Sequence, residues 1–346
     1  MSGESTNADA WFTRLEPIVP LRPSPPRADD LRLGDYVEFW SGGASPRLNP
    51  PPLARGGKGG GRPVVIGFPQ DAGVRRNHGR PGAAGAPLAI RRWLYRLTPW
   101  DAITGADLAQ IQLLDLGNLD AGADVEASQA ALAAVVAAVR TAGGLPVVLG
   151  GGHETAYGCF LGHIAASPPI AVINIDAHLD VRGTLDGAGH SGSPFRQALE
   201  HPDHPLGPGR YVCLGAQPHA VSREHFHYAQ SRGCVVRWLP EVRGRLVDAF
   251  AAERERLSAE GCPVHVTLDA DAVDASEVPG VSAPNVGGLT GGEALDCIQA
   301  AGAAPGVVGF DLVEINPAFD QDERSARWAA LAVWRFLVGW TTRIQA

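Results

Sequence analysis

From residue 63 onward the chain repeats one pattern: a short apolar run, then a helix-like stretch. The apolar runs lie at 64–68, 111–116, 147–150, 171–175, 211–215, 235–239, 264–268 and 307–313. The helix-like stretches lie at 87–97, 125–142, 154–166, 223–232, 242–259 and 291–301, with a last one from about 325 to 338. Runs of Val, Ile and Leu without polar alternation fit strands buried on both faces. Strands that alternate with helices fit a parallel sheet covered on both sides. The expected fold is therefore α/β, a three-layer α/β/α sandwich around an eight-stranded, mostly parallel sheet, spanning residues 63–346.

Three of these runs end in groups that bind metals. Residues 170–182, IAVINIDAHLDVR, place Asp176, His178 and Asp180 at i, i+2 and i+4. Side chains two apart on an extended segment point the same way. VHVTLDAD ends in Asp269 and Asp271, and LPVVLGGGH ends in three glycines and His153. Open α/β sheets build their sites at the carboxyl ends of strands. Four carboxylates gathered there repel one another unless cations sit among them. Mixed oxygen and nitrogen donors without thiolate suit Mn, Zn, Fe or Ni, and six such ligands fit a two-metal centre with a bridging hydroxide.

Composition removes other classes. The 29 basic and 37 acidic residues give a net charge of −8, which argues against nucleic acid as a partner. The most apolar helical stretch, 130–139, is far shorter than the ~20 residues that span a bilayer, so no membrane partner is expected. The start, MSGESTNADAW, is too polar for a signal peptide, and the five cysteines form no CxxC pair. A cytoplasmic protein with reduced thiols is expected. Residues 1–62 read as an arm and linker, partly disordered, with proline-rich LRPSPPR, a glycine run at 56–61 and a small docking element, DYVEFW. GGKGGGR lacks the GK[ST] ending and preceding strand of a phosphate loop, so it reads as linker.

The segments GGGHETAYG, NIDAHLDVR, LDADAVDASEVPG and FDLVEINP resemble the signatures of the ureohydrolase superfamily, which includes arginase and agmatinase. The resemblance runs from about Val64 to the C-terminus and implies the arginase-like fold. It implies two Mn2+ per subunit, bridged by Asp176 and Asp269, with His153 and Asp180 completing one site and His178 and Asp271 the other. It also implies that Glu314 holds a cationic amidinium, and that the protein is a homo-oligomer, a trimer or hexamer.

Within the superfamily, four segments resemble formimidoylglutamases. FPQDAGVRRNHGR carries Arg75, Arg76, Asn77 and Arg80. Arg182 follows the ligand Asp180 by two residues. SPFRQ adds Arg196, and PGVSAP replaces the Thr-Gly-Thr-Pro-like segment of arginases. Ser191 stands where arginases and agmatinases have a histidine proposed to shuttle protons; His190 is one residue earlier. N-formimidoyl-L-glutamate, a small anionic amidine, carries two carboxylates that arginines at the mouth would hold. The expected reaction is its hydrolysis to L-glutamate and formamide, in histidine degradation. Glu314 and Asp271 are the catalytic candidates, Asp271 for protonating the leaving amine. The alternative is an agmatinase or guanidino-acid ureohydrolase that releases urea. His78, His163, His201, His204, His219, His225, His227 and His265 have no ligand spacing, and His265 reads as a packed core residue.

Overall fold

All eight expected strands pair in parallel. They are β3 (Pro63–Gly67), β4 (Leu114–Leu119), β5 (Leu145–Leu149), β6 (Ala171–Ile175), β7 (Tyr211–Ala216), β8 (Val235–Trp238), β9 (Val264–Asp269) and β10 (Val307–Val313), in the order β4-β3-β5-β10-β9-β6-β7-β8. The structure is a computed structural model that describes residues 11–21, 29–48 and 61–345. Residues 22–27 of the proline-rich segment and 56–60 of the glycine run lie outside the described residues.

The sheet has ten strands, not eight. β1 (Leu15–Glu16) pairs antiparallel with the C-terminal half of β4, and β2 (Glu38–Phe39) pairs parallel with its N-terminal half. β2 lies within DYVEFW. Two-residue strands are too short to carry periodicity, so only the β4 edge that they cover reveals them. β4 itself begins three residues later than its apolar run. Leu108–Gln110 forms a 3-10 turn that Ile111 closes, and Gln112 has a left-handed backbone, φ +54.

Alternate strand residues face opposite layers, as period-2 geometry requires. Val65, Val147 and Leu149 pack with α2 (Ala86–Leu94), α8 (Leu246–Ala259), α9 (Gly291–Ala303) and α10 (Arg324–Gln345). Val64, Ile66 and Val148 pack with α3 (Val125–Thr141), and Val172 and Cys213 with α4 (Thr155–Ala166) and α5 (Pro194–Leu199). The helix starts carry their signals. The Asp124 side chain accepts from Ala127 N–H at 2.9 Å to cap α3, and Thr290 and Glu293 form a capping box on α9.

The helix expected over 242–259 is broken. α7 (Leu239–Val242) ends at Arg243, and Gly244 has φ +75 before α8 resumes at Leu246. Three short elements complete the fold: α1 (Ala72–Arg76), α5 and α6 (Arg223–Ser231). The chain thus brings β5, β10, β9 and β6 together as the four central strands, and all the metal-ligand candidates lie at their carboxyl ends.

Candidate metal centre and active site

His153, Asp176, Asp180 and Asp269 form one group whose ligand atoms all lie within 4.8 Å of one another; Asp176, His178 and Asp271 form a second. His153 Nδ1 lies 3.4 Å from Asp176 Oδ2, 2.9 Å from Asp180 Oδ2 and 3.0 Å from Asp269 Oδ2. His178 Nδ1 lies 3.4 Å from Asp176 Oδ1 and 3.3 Å from Asp271 Oδ2. Asp176 therefore gives one oxygen to each group. Asp269 gives Oδ2 to the first group, while its Oδ1 accepts from Asp271 N–H at 2.9 Å. Asp176 Oδ1 and Asp269 Oδ1 each accept one backbone N–H, from His178 and Asp271, and each keeps a second lone pair.

The backbone at the site is built for close approach. A Cβ on Gly151 would stand 1.7 Å from Gln70 O, so only glycine lets the loop after β3 cross the loop after β5. Gly152 N–H donates to Gln70 O at 2.9 Å across that crossing. Asp180 and Glu314 hold left-handed backbones, φ +45 and +65, which non-glycine residues adopt only where the surroundings enforce them. His178 N–H and Asn174 Nδ2 donate to the two Asp176 oxygens at 2.7 and 2.9 Å, fixing that carboxylate.

The electrostatics call for cations. Burial, then the charges of Asp271 and Asp176, push the Asp269 carboxyl well above its ordinary range. Burial also raises Asp271 to about 6 against the pull of His178, and raises Glu314 well above the usual range with help from Asp269 and Glu154. The charge of Asp271 dominates a strong upward shift of His178. Burial opposes protonation of His153, yet its hydrogen bonds to Asp180 and Asp269 and their charges together prevail, and its pKa rises well above the usual value. Without metal, these groups hold protons that a cation would displace.

Two buried carboxylate oxygens at the site have no hydrogen-bond partner among the described residues: Asp271 Oδ1 and Glu314 Oε2. His153 Nε2 faces Thr267 Oγ1 at 3.2 Å, which leaves Nδ1 facing the three carboxylates. Each of the two groups gathers its imidazole nitrogen and carboxylate oxygens within 4.8 Å of one another, which is what a hard divalent cation fits.

The arginase-family sequence model matches residues 62–339. The chain belongs to the arginase family. Among its relatives are two proteins named formimidoylglutamase. That of Citrobacter koseri is 37% identical over 280 residues, covering 80% of this chain and 85% of that protein. That of Geobacillus thermodenitrificans is 38% identical over 271 residues, covering 77% and 81%. Among solved structures, Trypanosoma cruzi formiminoglutamase with Mn2+2 superposes with a TM-score of 0.75 at 35% identity, covering 82% of this chain and 94% of that one.

Against this arginase-family frame, the substrate-side residues divide. A cleft of about 290 Å3 is lined by Asn77, His78, Arg80, Arg182, Ser191 and Ser282 above His178, Asp180, Asp269, Asp271 and Glu314. Arg182 is exposed at this cleft, and no side-chain partner for it occurs among the described residues. Arg80 is held by Ser282 O (2.9 Å) and Val281 O (2.5 Å) and lies 4.3 Å over the Phe319 ring. Asn77 Nδ2 donates to Ser191 Oγ at 3.1 Å, also at the cleft.

The other three arginines do not line it, which corrects the five-arginine rim. Arg75 pairs with Asp71 at 2.8 Å one turn back. Arg76 pairs with Glu126 at 2.7 Å and donates to Gly189 O. Arg196 faces Glu200 at 3.4 Å and stacks on Tyr228 at 4.2 Å. Each is satisfied locally: Arg75 and Arg196 have an acid four residues away, while Glu126 at Arg76 and the Tyr228 ring at Arg196 come from distant segments. His190 is likewise committed: its Nδ1 accepts from Gly192 N–H at 3.1 Å and its Nε2 faces Gly183 O at 2.9 Å, so it pins its own loop.

Proposed function

We propose that this chain is a formimidoylglutamase that hydrolyses N-formimidoyl-L-glutamate to L-glutamate and formamide. The observation that carries the reading is one cleft with buried carboxylates at its base and Arg80 and Arg182 on its wall. A substrate with a cationic amidinium at one end and two carboxylates at the other fits that polarity. Agmatine has no carboxylate to meet the arginines, and the relatives named above are formimidoylglutamases, so the urea-releasing alternative falls away.

His153, Asp176, Asp180 and Asp269 would hold one metal ion, and Asp176, His178 and Asp271 the other. We take the ion to be Mn2+, as in the Trypanosoma cruzi structure, because the donors are hard oxygens and imidazole nitrogens. Two divalent cations held by these residues would supply hydroxide at neutral pH by lowering the pKa of bound water. The Glu314 carboxylate, with Oε1 held by His153 N–H at 2.9 Å and Oε2 free, faces the amidinium and keeps its carbon over the site. Asp271 Oδ1 is free to take a proton from the attacking oxygen and pass it to the departing amine of glutamate. Arg182, and Arg80 held in place by Val281 and Ser282, bind the two carboxylates and fix the substrate's orientation.

Our reading of the compartment is cytoplasmic, supported by five cysteines that are all free thiols. No helix among the described residues is long and apolar enough to cross a membrane. Product analysis tests the function. Mn-loaded protein given formimidoylglutamate, 4-guanidinobutyrate, agmatine and arginine in parallel should release formamide and glutamate from the first and urea from none. Urea from a guanidino substrate would overturn the proposal.

A further inference from the structure

His153 is the front end of a buried hydrogen-bonded chain that crosses the sheet away from the cleft. Its Nε2 lies 3.2 Å from Thr267 Oγ1. The Thr267 hydroxyl donates to Asp311 Oδ1. Asp311 Oδ2 lies 2.7 Å from His265 Nε2, and His265 Nδ1 lies 3.0 Å from His163 Nε2. All five residues are buried, none more than 2% exposed. They come from β9, β10, α4 and the loop after β5, so tertiary structure alone assembles them.

The donors of this chain converge on Asp311 from both ends. An ionised aspartate only accepts. Asp311 therefore takes the proton of His265 Nε2 on one side and of Thr267 on the other. His265 Nδ1 is then left as an acceptor for His163 Nε2–H. Thr267, with its own proton committed, can only accept from His153, so His153 carries its proton on Nε2 and its lone pair on Nδ1. The unpartnered His163 Nδ1 at the far end is the lone pair this assignment predicts. Gly309 makes room for the His163–His265 contact: a Cβ there would stand 2.7 Å from His163 Nε2 and 2.9 Å from His265 Nδ1.

We infer that Thr267 and Asp311 are positioning residues that fix the His153 tautomer and so present Nδ1 as a metal ligand. The inference rests on the metal-centre reading above. Partners of this kind behind a ligating histidine are worth about 10–100-fold in metal affinity. The effect should fall on one site only, because Thr267 touches the group containing His153 and not the one containing His178.

The test is Mn2+ binding to the full chain by calorimetry and electron paramagnetic resonance, with no substrate present. Wild-type protein should bind two equivalents and show the signal of a coupled pair. Thr267→Val should lose about 10–100-fold at one site only, leaving an isolated-ion signal at stoichiometric Mn2+. Thr267→Ser, which restores the hydroxyl, should recover the pair. Matching far-ultraviolet dichroism of the chelated proteins shows that each is folded, and Thr267→Ala replaces the valine variant if that variant is not. Two wild-type equivalents with unchanged affinity in Thr267→Val, or a serine variant as weak as the valine one, would overturn the inference. If wild-type protein itself binds no pair of ions, the metal-centre reading fails first.

Discussion

The Arg91–Asp115 cluster and the cluster at the carboxyl ends of the central strands are both buried and charged, and they solve the problem of burial in opposite ways. Under β3 and β4, Arg91 faces Asp115 through two contacts, 2.8 and 2.9 Å, with both side chains fully buried. The remaining guanidinium donors reach Asn118 Oδ1 at 2.6 Å and Gly117 O at 2.7 Å, while Tyr95 O–H and Gly117 N–H donate to Asp115. Charge cancels and each guanidinium nitrogen has a partner. At the ends of β5, β6, β9 and β10, five carboxylates meet two imidazoles, and free lone pairs remain. A buried centre that closes on itself stabilises one conformation. One left open is incomplete until something binds. The difference marks which is structural and which is functional.

The largest expected break in this contrast is chemical. Asp176→Asn removes the carboxylate shared by both groups and should lower kcat/KM by about 10^3-fold, on the scale of losing a central electrostatic element. Steady-state assays on Mn-loaded variant and wild type measure it; activity within tenfold would mean that Asp176 does not join two ions. Asp115→Ala should act on the other centre and on stability alone. Leaving Arg91 buried and unpaired costs about 3–5 kcal/mol, which denaturant unfolding would report, while kcat of the folded fraction stays unchanged.

Chelation sharpens the comparison through pH. A carboxyl whose folded pKa lies above its unfolded value is better protonated in the folded state, so the chelated protein loses stability as pH rises. For Asp271 that loss spans the window from 3.8 to about 6, and the shifts of Asp269 and Glu314 extend it upward. Metal ligands must be deprotonated, so metal binding strengthens over the same range. The melting-temperature difference between Mn-loaded and chelated protein should therefore widen from pH 5 to pH 8. A constant or narrowing difference would count against the open centre.

The smallest effects separate the arginines. Arg182→Ala should raise KM for formimidoylglutamate by an amount worth about 1.5–3 kcal/mol, the range for a hydrogen bond to a charged group, with little change in kcat. Arg75→Ala and Arg196→Ala should fall within about 0.5 kcal/mol on both KM and stability, as surface pairs do. A KM rise for Arg196→Ala equal to that for Arg182→Ala would restore the wider rim.

The gathering of the candidate metal ligands was legible because it depends on local geometry. Asp176, His178 and Asp180 share a face by strand period, and His153, Asp269 and Asp271 end apolar runs that could only be buried strands. The arginines were not legible in the same way. A loop residue's direction depends on which acid or ring the fold brings beside it: Glu126 for Arg76, Tyr228 for Arg196. His265 was read as a packed core histidine, and it is buried, but its role depends on Asp311, 46 residues away in sequence.

By itself, then, the sequence determined the strand–helix alternation, the eight parallel strands and the chemistry at their ends, since hydrophobic period and donor type are properties of neighbouring residues. Only the tertiary structure decided that β5, β10, β9 and β6 lie side by side, that Asp176 faces two groups, that Leu15–Glu16 and Glu38–Phe39 cover the edge of β4, and that His153 Nε2 meets Thr267, whose hydroxyl reaches Asp311. Each of these is a contact between segments far apart in the chain. Such contacts form where buried polar groups find partners, and no local pattern records where that will be.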